Sequence, residues 1–140
     1  EKGYILLERT WENGDEISLD MDMPVQLLEA DPRVREDIGK VAVTRGPIVY
    51  CLEEADNGDQ LQEIYLKEEP EFQEKYEPDL LKGVVTIEAK GKRVSKEGWE
   101  KEGLYRTYTG KKFEDTDLKF IPYYAWVNRT PGEMAVWVRV

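Results

Sequence analysis

The sequence predicts an all-β protein, an antiparallel β-sandwich of the jelly-roll type. Apolar and polar residues alternate with a period of two over residues 17–25, which is typical of a strand with one buried face. Short β-rich runs recur along the chain and are separated by turn sequences such as Asn-Gly and Pro-Gly. Pro70 and Pro78 interrupt the charged segment that would otherwise be long enough for a helix. Recurring strands without a long helix favour packed sheets.

The first strands are predicted to form a hairpin. Residues 4–10 are rich in Ile and Leu, and an Asn-Gly pair separates them from the alternating run. Because both turn residues tolerate positive φ, we expect a β-hairpin over residues 4–25. Residues 40–53 contain two further β-rich runs around an Arg-Gly-Pro sequence, where we expect a kink or bulge.

The second half of the chain alternates strands with charged connections. Further strands are predicted at residues 64–66, 84–90, 118–127 and 134–140. The segment 67–82 is predicted to be irregular, and the segment 91–103 to be a mobile, charged loop.

A change in composition at residues 56–60 suggests two lobes. We expect residues 1–56 to be the latter part of a first β-sandwich that lacks its N-terminal strands. Residues 57–140 are then a second, smaller β lobe, whose final strands are free to return to the first sheet. A sheet without its partner strands exposes backbone and apolar surface, so we expect self-association or rearranged packing.

The composition excludes several classes of function. A net charge of −10 over 140 residues disfavours both nucleic acid and an anionic membrane surface as partners. The chain has no histidine, which removes the usual general base, and Cys51 is its one cysteine, so neither a disulfide nor a cysteine-rich zinc site can form. We therefore expect no metal site in this chain. It opens at Glu1 with no initiator Met or signal peptide, so we expect a piece of a longer protein, with the cytoplasm slightly favoured as its compartment.

Acidic clusters offer two alternatives to a purely structural role. Asp20 and Asp22 lie on the polar face of the predicted strand, where paired carboxylates are compatible with glycosidase chemistry. A solvated sheet face explains the same alternation and is favoured. The acidic residues of segment 53–59 suggest a calcium loop, but their spacing does not match an EF-hand, and a solvated turn is favoured.

For two other residues a structural role is favoured over catalysis or glycosylation. Cys51 lies in an apolar run with no histidine to activate it, which predicts a buried, inert thiol. Asn128 begins an Asn-x-Thr glycosylation pattern, but the proline that follows the pattern weakens it, and a hairpin turn explains the same residues.

Aromatic residues supply candidates for carbohydrate stacking. Trp99, Tyr105 and Tyr108 lie in polar surroundings and are the candidates for exposed, sugar-binding rings. Trp126 and Trp137 lie in predicted strands, which favours a place in the core or at a domain interface.

Four segments, in order along the chain, resemble glycoside hydrolase family 127. Residues 4–15 resemble its Arg-x-Trp-x-x-Gly-Asp segment, and residues 40–53 resemble its Val-Ala-x-x-Arg-Gly-Pro-x-Val-Tyr segment. Residues 121–129 are similar to its Ile-Pro-Tyr…Trp-x-Asn-Arg segment, and residues 132–137 to its Met-x-Val-Trp ending. The charged middle of the chain matches only loosely.

The resemblance implies a retaining, exo-acting glycosidase of the β-L-arabinofuranosidase type. Its catalytic (α/α)₆ barrel precedes this region and carries a zinc-bound cysteine nucleophile and an acid/base glutamate. None of these residues maps to this chain, so the resemblance implies no catalytic residue and no cofactor here, and places zinc in the barrel domain.

We therefore expect a non-catalytic accessory β-sandwich that supports its own barrel domain and oligomerisation. The residues expected at the domain interface are Arg9, Trp11, Arg45, Tyr123, Trp126, Asn128 and Arg129. The alternatives are a carbohydrate-binding module that uses Trp99, Tyr105 and Tyr108, and an independent enzyme that uses Asp20 and Asp22.

Overall fold

Strands form almost all of the regular structure. The computed structural model describes residues 3–99 and 103–140. Its strands are β1 (Val25–Glu29), β2 (Lys40–Arg45), β3 (Ile48–Glu53), β4 (Ile64–Leu66), β5 (Gln73–Glu77), β6 (Val84–Val94), β7 (Phe113–Pro122), β8 (Met134–Ala135) and β9 (Trp137–Arg139). The helical segments are the four-residue helix α1 (Glu54–Asn57) and 3-10 turns at Arg35–Asp37, Leu61–Glu63 and Tyr123–Ala125.

The sheet closes on itself. Its strand order is β1-β2-β9-β4-β6-β7-β3-β8, and β2 also pairs with β3. Six strands (β2, β9, β4, β6, β7 and β3) therefore form a closed ring, to which β1, β5 and β8 are added. The strand pairs are antiparallel, except for β4 and β9, which run parallel. The all-β prediction is confirmed. The jelly-roll sandwich is not, because β2 pairs with β9 through residues 40–42 and with β3 through Thr44 and Arg45, which joins the strands into one closed sheet.

The longest pairing joins β6 to β7. It runs from Ile87 opposite Phe120 to Val94 opposite Phe113. Side chains from both strands enter the barrel interior, where apolar burial supplies about 1.5–3 kcal/mol for each large side chain. The buried core consists of Val43, Tyr50, Leu52, Leu61, Ile64, Leu66, Ile87, Ala89, Leu118, Phe120 and Val138.

Residues 46–47 form a two-residue turn that reverses the chain between β2 and β3, with Arg45 opposite Ile48, where a kink or bulge was predicted. Gly46 adopts φ 53°, a left-handed conformation that favours glycine. Its amide donates a hydrogen bond to the carbonyl oxygen of Pro24, 3.0 Å away, and a Cβ atom here would lie 2.5 Å from the Met23 sulfur. Glycine therefore lets the chain before β1 pack against this turn.

The predicted hairpin over residues 4–25 is wrong. Residues 3–24 contain no strand, and the sheet begins only at Val25. The Asn-Gly turn is local, with the Asp15 amide donating to the Glu12 carbonyl oxygen at 3.2 Å. Large apolar side chains of this segment are exposed, including those of Ile5, Leu6, Ile17, Leu19 and Met21. Alternation fixes which face a strand would bury, but no neighbouring strand of the described residues supplies the hydrogen bonds.

Several other boundaries differ from the prediction. The aromatic strand begins earlier and ends at Pro122, because a 3-10 turn takes over at Tyr123. The segment 67–82 contains β5, which pairs with β6 through its backbone although its own side chains are mostly exposed. The strand β6 continues to Val94, so the predicted loop 91–103 begins later, and residues 100–102 lie outside the described residues.

The final strand is split into β8 and β9, which pair with β3 and β2 respectively. The strands β3 and β7, on either side of the predicted lobe boundary, are also direct neighbours. The division into residues 1–56 and 57–140 stays a prediction.

The position of Gly91 in β6, between the paired strands β4 and β7, should not tolerate a larger residue. A Cβ atom there would lie 2.5 Å from a Leu118 methyl carbon and 2.7 Å from the Tyr65 carbonyl oxygen. Gly91→Ala should therefore lower the free energy of unfolding by about 1–3 kcal/mol, measured by urea denaturation. Gly103→Ala is the matched control, because a Cβ atom at Gly103 has no neighbour within 4 Å. Equal stability of the two variants would contradict this packing.

Candidate functional site

A buried ion pair lies where the end of β3 meets the chain after β7. Glu53 is 3% exposed, and its carboxylate accepts hydrogen bonds from Nε of Arg129 at 3.1 Å and from Nη2 of the same residue. The same guanidinium donates to both oxygens of Asp56, at 3.0 and 2.5 Å. Hydrogen bonds to Asp56 and then to Glu53 raise the pKa of Arg129, against the effect of desolvation. One arginine thus forms hydrogen-bonded ion pairs with two carboxylates, and burial of either carboxylate without a cation would be costly.

The same carboxylate holds a strained residue. Val127 adopts φ 64°, which is an outlier for a β-branched side chain. Its amide donates a 2.9 Å hydrogen bond to Oε1 of Glu53. Because this conformation costs on the order of 1–3 kcal/mol, the Glu53 bond helps to fix a turn that the local sequence would not adopt alone.

Side-chain amides and backbone bonds attach α1 to its surroundings. The Asn57 side chain bonds both the carbonyl oxygen and the amide of Lys119 on β7, each at 2.9 Å. The Glu54 amide donates to the Glu133 carbonyl oxygen at 3.0 Å, and the Glu133 amide donates back to the Glu54 carboxylate at 2.8 Å. The short helix α1 is therefore hydrogen-bonded both to β7 and to the segment that leads into β8.

The segment that follows β7 carries exposed aromatic side chains. We call residues 123–129 the aromatic turn. The rings of Tyr123 and Trp126 stack, with centroids 6.2 Å apart and planes 13° apart. Tyr124 is 68% exposed. Tyr50, near the start of β3, lies opposite Pro122, the last residue of β7. The Arg-Gly-Pro turn that precedes β3 and the aromatic turn that follows β7 therefore lie at the same end of this strand pair.

The residues predicted at the domain interface fall into separate groups. Arg129 and Asn128 act within the turn, since Asn128 donates to the Ala125 and Trp126 carbonyl oxygens at 3.1 and 3.2 Å. Arg45 pairs with Glu74 on β5. Their role at an interface with other domains stays a prediction.

Arg9 and Trp11 form a third group in the irregular segment before β1. The Arg9 guanidinium lies 5.0 Å from the Trp11 ring centroid and pairs with Asp15 at 3.1 Å. No contact in the described residues joins them to the aromatic turn.

The predicted sugar-binding residues all lie in the connection between β6 and β7. Trp99 and Tyr108 line one open cleft, and Tyr105, 90% exposed, lines a neighbouring one. Asp20 and Asp22 do not lie on a strand, contrary to the prediction, and belong to the exposed segment before β1.

Two carboxylates of the acidic loop after β3 pair with protein cations. Asp56 approaches Lys119 to 4.0 Å as well as binding Arg129, and Asp59 pairs with Lys96 at 3.2 Å. Across residues 3–99 and 103–140, no group of three or more histidine, cysteine or acidic side chains is placed to hold a metal ion. The same described part contains no helix with the length and apolar character needed to cross a bilayer.

Sequence reasoning missed Glu53 as the centre of this site. The residue was predicted as the end of the β-rich segment 40–53 and the start of an acidic loop, and no partner was predicted for it, whereas it is the last, buried residue of β3. A carboxylate directly after an apolar strand was the available signal, since such a position requires a cation. The identity of that cation, 76 residues away in the sequence, depends on the fold.

A comparison with protein-family models matches the part of the chain that forms the barrel and the aromatic turn. Residues 25–139 match the glycoside hydrolase family 127 C-terminal domain, and the match begins at the first residue of β1. This chain belongs to glycoside hydrolase family 127. It is 34% identical over 142 residues to a non-reducing end β-L-arabinofuranosidase of Bifidobacterium longum subsp. longum, which covers 99% of this chain and 22% of that protein.

Solved structures of the family share the fold of its C-terminal domain. The chain is 47% identical, with a TM-score of 0.79, to a family 127 β-L-arabinofuranosidase from Geobacillus stearothermophilus T6, over 84% of this chain and 18% of that one. A second family 127 β-arabinofuranosidase matches with 37% identity and a TM-score of 0.72, over 85% and 17% of the two chains. The chain thus spans about a fifth of the length of these family 127 proteins.

Removing the cation should destabilise this family 127 domain more than any exposed ion pair does. Arg129→Met leaves Glu53 buried without a partner, and we expect a loss of about 3–5 kcal/mol in the free energy of unfolding. Arg33→Met is the control, because Arg33 binds Asp31 at 2.9 Å on the exposed surface, where a pair contributes about 0–1 kcal/mol. Both are measured by urea denaturation. The double variant Glu53→Gln/Arg129→Met should recover part of the loss, and no recovery would contradict the charge argument.

The one cysteine of the chain should be unreactive while the domain is folded. Burial, with a further contribution from the Glu53 charge, raises the pKa of Cys51 to about 12. We expect no labelling by a thiol reagent at about pH 8 in buffer and rapid labelling in urea. Because the folded pKa lies above the unfolded one, the stability from this thiol is fully present below about pH 8.5 and is lost as the pH rises toward 12. Labelling of the folded protein at the unfolded rate would refute the buried position.

Proposed function

We propose that this domain is a non-catalytic accessory domain of a longer family 127 glycosidase. It packs against the preceding part of its own chain, which carries the catalytic (α/α)₆ barrel and its zinc, and it supports oligomerisation. The relatives named above are β-arabinofuranosidases, and hydrolysis of β-L-arabinofuranosides is the activity proposed for the parent protein.

The observation that carries this proposal is the exposed apolar segment before β1. Tyr4, Ile5, Leu6 and Leu7 are each more than half exposed, although they follow one another directly in the sequence. A contiguous apolar run of this kind usually marks a surface that another protein part covers. The homology to the Bifidobacterium enzyme extends over 99% of this chain, so this segment has a counterpart in a protein that is several times longer.

The aromatic turn supports the same role. Tyr123, Tyr124 and Val127 are 45%, 68% and 56% exposed, and the buried Glu53 carboxylate holds them in place. A pre-organised turn loses little conformational entropy when it binds, and exposed aromatic residues are the commonest anchors of interfaces.

The chemistry of the carboxylates supports a non-catalytic role. Asp56 and Glu53 are committed to Arg129.

Docking is tested by adding this domain to a related enzyme that lacks its own copy. The partner is the Geobacillus family 127 enzyme truncated before the region that this chain matches. Sedimentation velocity should show a complex. Tyr124→Ala should weaken it by about tenfold, the scale expected of an aromatic interface anchor. Tyr108→Ala, an equally exposed change on the β6–β7 connection, should leave it unaltered.

Two results would overturn the proposal. One is an absence of complex formation by a folded domain at high concentration. The other is release of arabinose from an aryl β-L-arabinofuranoside by the 140-residue protein alone. The same sedimentation runs on the domain without its partner report whether it self-associates.

A further inference from the structure

The connection between β6 and β7 forms a cleft away from the aromatic turn. Strand pairing ends at Val94 and Phe113, and the Ser95 amide adds one bond to the Lys112 carbonyl oxygen at 2.9 Å. Beyond Ser95 the backbones of the two segments are no longer paired. The described residues of both segments line an open cleft with a volume of about 800 Å³. A space of this size holds a small oligomeric ligand.

The cleft carries the opposite charge to the molecule. Its described lining includes the cations Lys96, Arg106, Lys111 and Lys112 and the carboxylates Glu63 and Glu97. The chain as a whole has a net charge of −10. The described lining thus has two more cations than carboxylates, although the chain as a whole is acidic.

Two of these cations have no carboxylate partner among the described residues. Lys96 pairs with Asp59 at 3.2 Å, and Lys112 pairs with Glu97 at 3.0 Å, which bridges the two segments. Lys111 instead donates to the Tyr65 hydroxyl at 2.6 Å, and Arg106 lies over an aromatic ring. An incoming anion therefore finds positive charge there that no carboxylate of residues 3–99 and 103–140 neutralises.

Aromatic rings line the same cleft as these cations. The Arg106 guanidinium lies 4.1 Å from the centroid of the Trp99 ring, which remains 40% exposed. Tyr108 lines the same cleft and is 79% exposed. Stacking on the ring orients the planar guanidinium, which matches the geometry of a carboxylate. The exposed rings offer apolar faces to a ligand that has apolar faces of its own.

We propose that this cleft binds an acidic oligosaccharide, a short sugar chain that carries uronic acid carboxylates. Trp99 and Tyr108 pack against sugar rings, and Arg106 and Lys111 bind a carboxylate. A polyanion such as nucleic acid is disfavoured by the overall negative charge, whereas isolated carboxylates meet the local positive charge. The choice of a saccharide rests on the proposed function, and the preference for an acidic one rests on the lining of the cleft.

Calorimetric titration of the 140-residue protein tests this with three probes: trigalacturonic acid, neutral arabinotriose and adenosine monophosphate. Trigalacturonic acid should bind about tenfold more tightly than arabinotriose at low ionic strength, since a charge-assisted pair to arginine is at stake. Raising the salt to about 1 M, where the screening length is about 3 Å, should remove most of that difference. Arg106→Gln should abolish the preference for the acidic sugar, and Trp99→Ala should weaken both sugars.

The control variants are Arg33→Gln, an exposed arginine that does not line the cleft, and Tyr124→Ala, a change on the aromatic turn. Both should bind trigalacturonic acid as the unaltered protein does. Absence of sugar binding, equal affinity for the two sugars at low salt, or tighter binding of adenosine monophosphate would each overturn the proposal. Because docking is measured separately, and through Tyr124, either proposal can fail while the other stands.

Discussion

The arrangement of this domain depends on one ion pair, between the buried carboxylate of Glu53 and the guanidinium of Arg129. Glu53 ends a strand of the closed sheet, and Arg129 lies in the irregular chain that follows β7. Their contact fixes the path of the chain between β7 and β8. The same guanidinium also binds Asp56, so α1 and the aromatic turn depend on the same cation.

The ion pair also explains how an unfavourable backbone conformation persists. Val127 has a positive φ, and the Glu53 carboxylate accepts a hydrogen bond from its amide. A carboxylate that binds both an arginine and a strained amide is fully hydrogen-bonded, which offsets the cost of burying it. The result is a rigid aromatic turn on a sheet whose closure needs β9, one of the last elements of the chain.

The strands of the barrel were largely predictable, and the partner of each strand was not. Residues 40–53 and 84–90 show β-rich patterns that survive in the structure as β2, β3 and β6. The segment 17–25 has the cleanest alternation of all, yet residues 17–24 are irregular. A strand needs a neighbour to bond with, and alternation contains no information about which neighbour is present. By contrast, the sequence did not predict β5, because its side chains are mostly charged and show no apolar alternation. Its pairing with β6 is made by the backbone.

The sequence by itself determined the all-β class, the break between two strands at Gly46, the burial of Cys51 and the family to which the chain belongs. These follow from local patterns: side-chain periodicity, the conformational freedom of glycine and short ordered motifs. Only the tertiary structure decided that the sheet closes into a barrel, that Glu53 meets Arg129, and that cations gather around Trp99. Each of these joins residues that are distant in the sequence, and such contacts are chosen by the packing of the whole chain rather than by any segment of it.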